Sequence, residues 1–312
     1  MTPPQRASRE VNKFRECARV VIDHHFGRPK RVIYLSAGMS NFVFAFSTAD
    51  GDFIIRISPD AAGIKSFIKE QWAVREASKV GIPAPEILEV GTGMIDHPYM
   101  VSRTTKGSEA RFHPNRLEIL REMGRIGAAI NSIKTKGFGE TFDWSDNRLS
   151  FNNSFKEYLE TEYNFGEKIE TLKKHRMLSP QQAKKLERTF TEAAKSRAHP
   201  VLTHGDLRLK NVIADEDGKI KAIIDWEGCI SSIAPAWELS IALHDLGIDE
   251  MQFFLEGYGI TEKKLSDSMP LIRAFNIANY AAAVAGIAAA KNKPLLAHYR
   301  LRLGGMLDLY SV

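Results

Sequence analysis

Between Val201 and Glu227 the chain reads VLTHGDLRLKNVIADEDGKIKAIIDWE, and His204, Asp206, Asn211 and Asp225 within it have the types and spacing of a reacting centre. Two apolar runs, NVIAD and KIKAIID, have the composition of paired strands, joined by a tight turn at Glu216, Asp217 and Gly218. Asp206 precedes the first run, Asn211 opens it five positions later, and Asp225 ends the second. A hairpin with those flanks carries one amide and two carboxyl groups to one rim. All are oxygen donors suited to a hard cation, and Mg²⁺ takes few protein oxygens, completing its shell with water and phosphate. The chemistry expected is the handling of a magnesium nucleotide. An acidic surface turn accounts for Asp215 and Asp217 better than for His204, Asp206, Asn211 and Asp225.

His204-Gly205-Asp206 with Asn211 resembles the catalytic loop of kinases, H-x-D followed by Asn at the same spacing, and Asp225-Trp226-Glu227 stands where protein kinases carry Asp-Phe-Gly. The Gly after His and the Asp-Trp-Glu ending resemble the aminoglycoside phosphotransferase and choline kinase branch, which phosphorylates hydroxyls of small molecules. A later stretch, Pro235-Ala236-Trp237-Glu238-Leu239, extends the resemblance. It implies an α+β, two-lobed protein-kinase-like fold. Residues 1–103 would form a nucleotide-binding lobe with a five-stranded antiparallel sheet and one main helix. Residues 104–312 would form a mostly helical lobe carrying the catalytic hairpin and acceptor site, with a helical insert at about 145–200.

The same resemblance implies ATP or GTP as donor and Mg²⁺ as cofactor. Asp206 would orient the acceptor hydroxyl and take its proton, while Asn211 and Asp225 would hold the metal. Arg208, where protein kinases carry a Lys, would stabilise charge on the moving phosphoryl group. His204 would brace the loop rather than act as base.

These groups need elements to position them. Residues 7–25 have helical apolar spacing at Val11, Phe14, Cys17, Ala18 and Val21. RVIYLSA, FVFAFST and FIIRIS then read as strands, with Phe42, Phe44 and Phe46 at the period of a half-buried sheet. Ser36, Gly38, Ser40 and Asn41 lie between the first two, where a kinase covers the phosphates, although the Gly-x-Gly-x-x-Gly pattern is absent. Arg56, a cation inside an apolar strand, requires a partner and is placed opposite the nucleotide phosphates. Glu70, on a helix over about 62–79, is the first choice for that partner, with Glu76 the alternative. PAPEILEVGTG and HPYMVSRTT complete the sheet, and Met100 to Arg103, including Ser102, would be the hinge whose backbone binds the base.

Beyond it, Leu117, Leu120, Met123, Gly124, Ile126, Gly127 and Ile130 mark an apolar helical stripe. Helices at about 155–175 and 179–197 follow a polar connection at 144–154, and Glu157, Glu160, Glu162 and Tyr163 are candidates for gripping an acceptor. Glu238 and Asp245 read as structural partners of the catalytic loop in preference to substrate ligands. C-terminal helices are expected over 252–259 and 270–310.

Composition narrows the class. The chain has 312 residues, 44% hydrophobic and 26% charged, values of a globular protein large enough for two cores. The N-terminal stretch lacks the apolar centre of a signal peptide, and no run reaches the roughly 20 apolar residues of a membrane span. Two cysteines, Cys17 and Cys229, make no disulfide framework, so a cytoplasmic setting is expected; the oligomeric state is left open, with a monomer favoured. The net charge of +5 comes from scattered Lys and Arg with no basic or aromatic-interleaved run, so no nucleic-acid partner is expected. The acceptor expected is a small-molecule hydroxyl, first that of an aminoglycoside-like amino-sugar antibiotic, with an amino alcohol or sugar metabolite as alternative. A catalytically inactive nucleotide-binding module is the reading from another class.

Overall fold

The computed structural model describes residues 8–29, 31–35, 40–140 and 152–308. The chain divides into two compact units, one running to Ile119 and taking in Leu209–Cys229, the other comprising Leu120–Arg208 and the chain from Ile230. In packing terms the segment Leu209–Cys229 therefore groups with the N-terminal sheet.

In the first unit, strands β1 (Val32–Leu35), β2 (Phe42–Thr48), β3 (Gly51–Ile57), β4 (Ile87–Gly91) and β5 (Tyr99–Arg103) form an antiparallel sheet in the order β1-β2-β3-β5-β4. The alternation in β2 decides which face is buried. Phe42, Phe44 and Phe46, with Phe53, Ile55 and Ile57 of β3, pack against Phe14, Ala18, Val21 and Ile22 of helix α1 (Ser8–Phe26). Phe14 stacks on Phe42 with ring centroids 3.9 Å apart. Because neighbouring strand residues face opposite ways, Arg56 projects from the other face, toward helix α2 (Gly63–Lys79). The buried side of α2 is broad: Phe67, Lys69, Glu70, Trp72, Ala73, Val74 and Ala77 are covered, while Ile64 and Ile68 are half-buried.

Strands β6 (Ser108–Glu109), β8 (Val212–Ala214) and β9 (Ile220–Ile223) make a second antiparallel sheet in the order β6-β8-β9. Its turn is closed by Gly218, whose φ of +87° favours glycine, and by the Lys219 N–H bond to Asp215 Oδ1. The Asn115 side chain donates to the Asp217 carbonyl at 3.2 Å, and Ile223 N–H donates to the Pro83 carbonyl at 2.8 Å, tying the hairpin to the chain after α2.

The second unit contains the helix α3 (Arg116–Ile130) from Leu120 onward. Ile119, Leu120, Met123, Ile126 and Ile130 are buried on α3, whereas Leu117 is exposed; the 100° helical step aligns Ile119, not Leu117, with Met123 and Ile126. The expected helix at 155–175 is broken. A single turn α4 (Phe155–Glu157) passes through a π-turn at Tyr158–Glu162, and α5 (Phe165–Lys174) restarts after Asn164. Asn164 adopts a left-handed φ of 51° and caps α5 by accepting from Glu167 N–H, a combination that Asn tolerates better than most residues. Helix α6 (Pro180–Ala193) opens on a Ser179–Gln182 capping box.

Strand β7 (Val201–Thr203) pairs with β10 (Ile230–Ser232), and helices α7 (Ala236–Ala242), α8 (Ile248–Tyr258), α9 (Glu262–Ala278), α10 (Tyr280–Ala289) and α11 (Lys293–Asp308) follow. The region where C-terminal helices were expected, 270–310, divides at Asn279 and Asn292, and Pro270 lies inside α9. By length and composition, Glu262–Ala289 is apolar enough to cross a membrane, contrary to the reading of the sequence. Its apolar side is used in the core: Phe275 packs against Trp237, Tyr163 and Phe190 with centroids 4.9, 5.3 and 5.5 Å away.

Candidate active site

Arg56 sits in β3 between Ile55 and Ile57, and α2 brings Glu70 to it. Its Nη1 donates to both Glu70 carboxylate oxygens, at 2.7 and 2.8 Å. Its Nη2 reaches Glu227 Oε2 at 3.0 Å, and the Phe67 ring lies 5.4 Å from the guanidinium. Burial by itself lowers the Arg56 pKa, but Glu70 and Glu227 reverse that and hold it above the ordinary value. Burial raises the Glu70 pKa, with Arg56 pulling it back. Glu76, the alternative partner, bonds to Lys79 at 2.7 Å. Asn41 is buried and its Nδ2 lies 3.4 Å from Glu227 Oε2, while Ser40 is exposed; Ser36 and Gly38 lie outside the described residues.

Met100 and Ser102, expected at a hinge, are strand residues. They lie in β5, which pairs with β3 on one side and β4 on the other, with Met100 opposite both Arg56 and Val90. The ladder takes up their backbone groups, and Arg103 and Thr104 N–H bond to the Glu86 and Asp52 carbonyls.

Asn211 and Asp225 occupy the same end of the hairpin, because Val212 pairs with Ile223 and Ile224 N–H donates to the Asn211 carbonyl at 2.9 Å. Asn211 is buried in the turn Leu209–Asn211. Asp225 has φ 69° and ψ 54°, a left-handed conformation that costs an L-residue of order 1 kcal/mol. What holds it is Trp226, fully buried, with its indole N–H donating to the Ile223 carbonyl at 2.8 Å. Among the described residues no group of three or more His, Cys, Asp or Glu side chains is arranged for a metal. An amide and a carboxylate on one hairpin end instead fit a Mg²⁺ that keeps water and phosphate in its shell.

In the second unit, His204, Gly205 and Asp206 follow β7. His204 is buried and its N–H donates to Glu238 Oε2 at 2.7 Å; its Nδ1 accepts from Asp206 N–H at 3.2 Å. Gly205, at φ +77°, turns the chain between them. Burial of Glu238, which is wholly enclosed on α7, pushes its pKa up to about 7, with the His204 bond opposing and Asp206 adding to the rise. The Asp206 carboxylate pairs with Arg208, whose Nη1 also reaches Asp245 Oδ2 at 3.2 Å. Arg302 of α11 reaches Asp245 Oδ1 at 3.3 Å. Burial would raise the Asp245 pKa, but His244, Arg208 and Arg302 hold it below the usual range.

Sequence reading gave Glu227 and Arg302 no role. The position of Glu227, two residues after Asp225 on the same turn, was the available signal; Arg302 left none. Of the acceptor candidates, Glu162 accepts from Asn152 Nδ2 at 2.6 Å, Glu157 accepts from Asn153 N–H at 2.7 Å, and Tyr163 is core, donating to Asn279 Oδ1 at 2.9 Å. Lys156 lies 3.9 Å from Glu160.

Sheet, hairpin and helices together make the fold of the aminoglycoside phosphotransferases. The aminoglycoside phosphotransferase APH(4)-Ia matches with a TM-score of 0.70 at 18% identity, over 98% of this chain and 100% of that one. The GDP and kanamycin complex of APH(2″)-IIIa matches at 0.66 and 13% identity, over 95% and 99%. Residues 31–273 match the phosphotransferase enzyme family, and the chain belongs to it. A curated relative, hygromycin-B 4-O-kinase of Escherichia coli, is 23% identical over 239 residues, covering 72% of this chain and 64% of that enzyme.

Proposed function

We propose that the protein moves the γ-phosphoryl group of ATP or GTP to a hydroxyl of a small molecule, an aminoglycoside-like amino-sugar antibiotic. Family membership and the named activity of the hygromycin-B kinase support this reading. A ternary complex of an APH(4)-Ia mutant with ADP and hygromycin B supports both the donor and the acceptor class. The observation that carries it is the hairpin end that gathers Asn211 and Asp225, with Asp206 five residues upstream.

In this reading, Asn211 Oδ1 and the Asp225 carboxylate would hold Mg²⁺, which when bound would offset the charge of the nucleotide phosphates. Arg56, braced by Glu70, faces the non-transferred phosphates. Asp206 orients the acceptor hydroxyl and takes its proton, and its ion pair with Arg208 holds the carboxylate in place. Both cysteines are free, in keeping with a reducing, cytoplasmic setting.

Steady-state ADP release, measured across aminoglycosides, amino alcohols and sugars, tests the activity. Acceptor-stimulated release with hygromycin B or a related amino sugar is expected; stimulation by amino alcohols alone would reassign the acceptor. Asp206→Ala should abolish turnover with nucleotide binding nearly intact. Asp225→Ala should weaken nucleotide binding only when Mg²⁺ is present, and an unchanged metal titration would remove it from the ligand set.

A further inference from the structure

Arg56 is the cation that the reading above assigns to phosphate, yet two carboxylates already hold it. They differ in kind. The Glu70 side chain is 5% exposed and grips Nη1 with both oxygens, whereas that of Glu227 is 35% exposed and meets only Nη2 through a single oxygen. Glu227 Oε2 also lies 3.4 Å from Asn41 Nδ2, a long contact. Asp225 also bears on Arg56 electrostatically, so three carboxylates surround one guanidinium. A triphosphate entering that field meets net negative charge, and one anion has to give way. Buried Glu70 cannot withdraw without leaving a desolvated charge unpaired, while Glu227 can rotate into water at little cost.

We infer that Glu227 is an exchangeable anion that competes with nucleotide phosphate for Arg56 Nη2, setting nucleotide affinity and release. The inference rests on the phosphotransferase reading. It makes the Glu of Asp-Trp-Glu a tuning residue: it preserves the position of Arg56 while the nucleotide site is vacated and weakens retention of the product nucleotide. No bond is made or broken in the exchange; one carboxylate–guanidinium hydrogen bond is replaced by one phosphate–guanidinium bond, and the carboxylate gains water.

The test is the dissociation constant for ATP and ADP, followed by a fluorescent nucleotide analogue with and without Mg²⁺. Glu227→Gln retains the size and one acceptor oxygen but removes the charge. It should tighten nucleotide binding about tenfold, as expected for deleting one like charge at close range, and slow nucleotide dissociation in proportion. Glu227→Ala should tighten binding in the same direction, so a folding defect in one variant does not remove the test; thermal unfolding of each variant identifies such a defect. Affinity within twofold of wild type in both variants overturns the inference. So does weaker binding that appears only with Mg²⁺, which would make Glu227 a metal ligand. Absence of nucleotide binding by the wild-type protein is a separate result and would sink the phosphotransferase reading itself.

Discussion

Arg56 holds Glu70 through one nitrogen, with Nη1 at 2.7 and 2.8 Å from the two carboxylate oxygens, and so leaves Nη2 for Glu227. That division of labour depends on a planar group with several donors. Arg56→Lys provides one compact ammonium, which can satisfy Glu70 or face Glu227 but cannot fork between them. The expected cost is about 1–2 kcal/mol of folding stability, whereas Arg56→Ala, which leaves Glu70 buried and unpaired, should cost about 3–5 kcal/mol. Urea denaturation measures both, and equal stabilities for the two variants would refute the forked arrangement.

Glu238 makes stability pH-dependent. Its pKa in the folded chain is about 7, raised from 4.5 chiefly by burial, so between those values the folded state binds more protons than the unfolded state. Stability from this group is fully present below about pH 4.5 and is lost as pH rises through 7, by up to about 3 kcal/mol. Glu238→Gln keeps an acceptor for the His204 N–H and cannot ionise. Denaturant midpoints at pH 5 and pH 8 should therefore diverge for wild type more than for the variant. Parallel pH dependence in both proteins would show that another group is responsible.

How much of this was legible beforehand depends on the range over which each relationship acts. His204, Asp206, Asn211 and Asp225 lie within 22 positions on one loop and hairpin, so their spacing alone carried the pattern. Arg56 was legible for a different reason: a cation inside Phe53-Ile54-Ile55-Arg56-Ile57 has to be paired, and strand alternation turns it away from the α1 face. Its bond to Glu227 crosses 171 positions, and no local rule specifies such a contact. The break at Asn164 was missed because the apolar period continues through it; only the backbone conformation records the change. Met100 was placed by analogy at a hinge, and its pairing with Val90 of β4 on the outer side is a contact between strands that no local pattern at Met100 gives.

Gly124 was legible only as a member of an apolar stripe and Gly257 had no reading, yet the two set how closely α3 and α8 approach. A Cβ on Gly124 would stand 2.1 Å from the Phe254 carbonyl oxygen, and one on Gly257 would stand 1.8 Å from that of Arg121. Both obstacles are backbone atoms and cannot rotate aside. Gly124→Ala should thus destabilise the protein by about 2–3 kcal/mol despite the better helix propensity of Ala. Thermal unfolding of this variant beside Gly166→Ala, where a Cβ meets nothing within 4 Å, isolates the packing effect. Equal midpoints for the two substitutions would mean that the helices can separate freely.

Arg208 divides its guanidinium between the Asp206 carboxylate and Asp245, and Arg302 supports Asp245 from α11. A residue so placed can act on the rate by holding Asp206 in position and by meeting charge that develops on the transferred group. Either action belongs to the transition state more than to bound nucleotide. Arg208→Ala should accordingly lower kcat by about 10²-fold or more while changing the nucleotide KM by less than about threefold. Arg208→Lys should recover part of kcat, because an ammonium supplies charge without the planar fork. A variant with normal kcat and a raised nucleotide KM would instead assign Arg208 to ground-state binding.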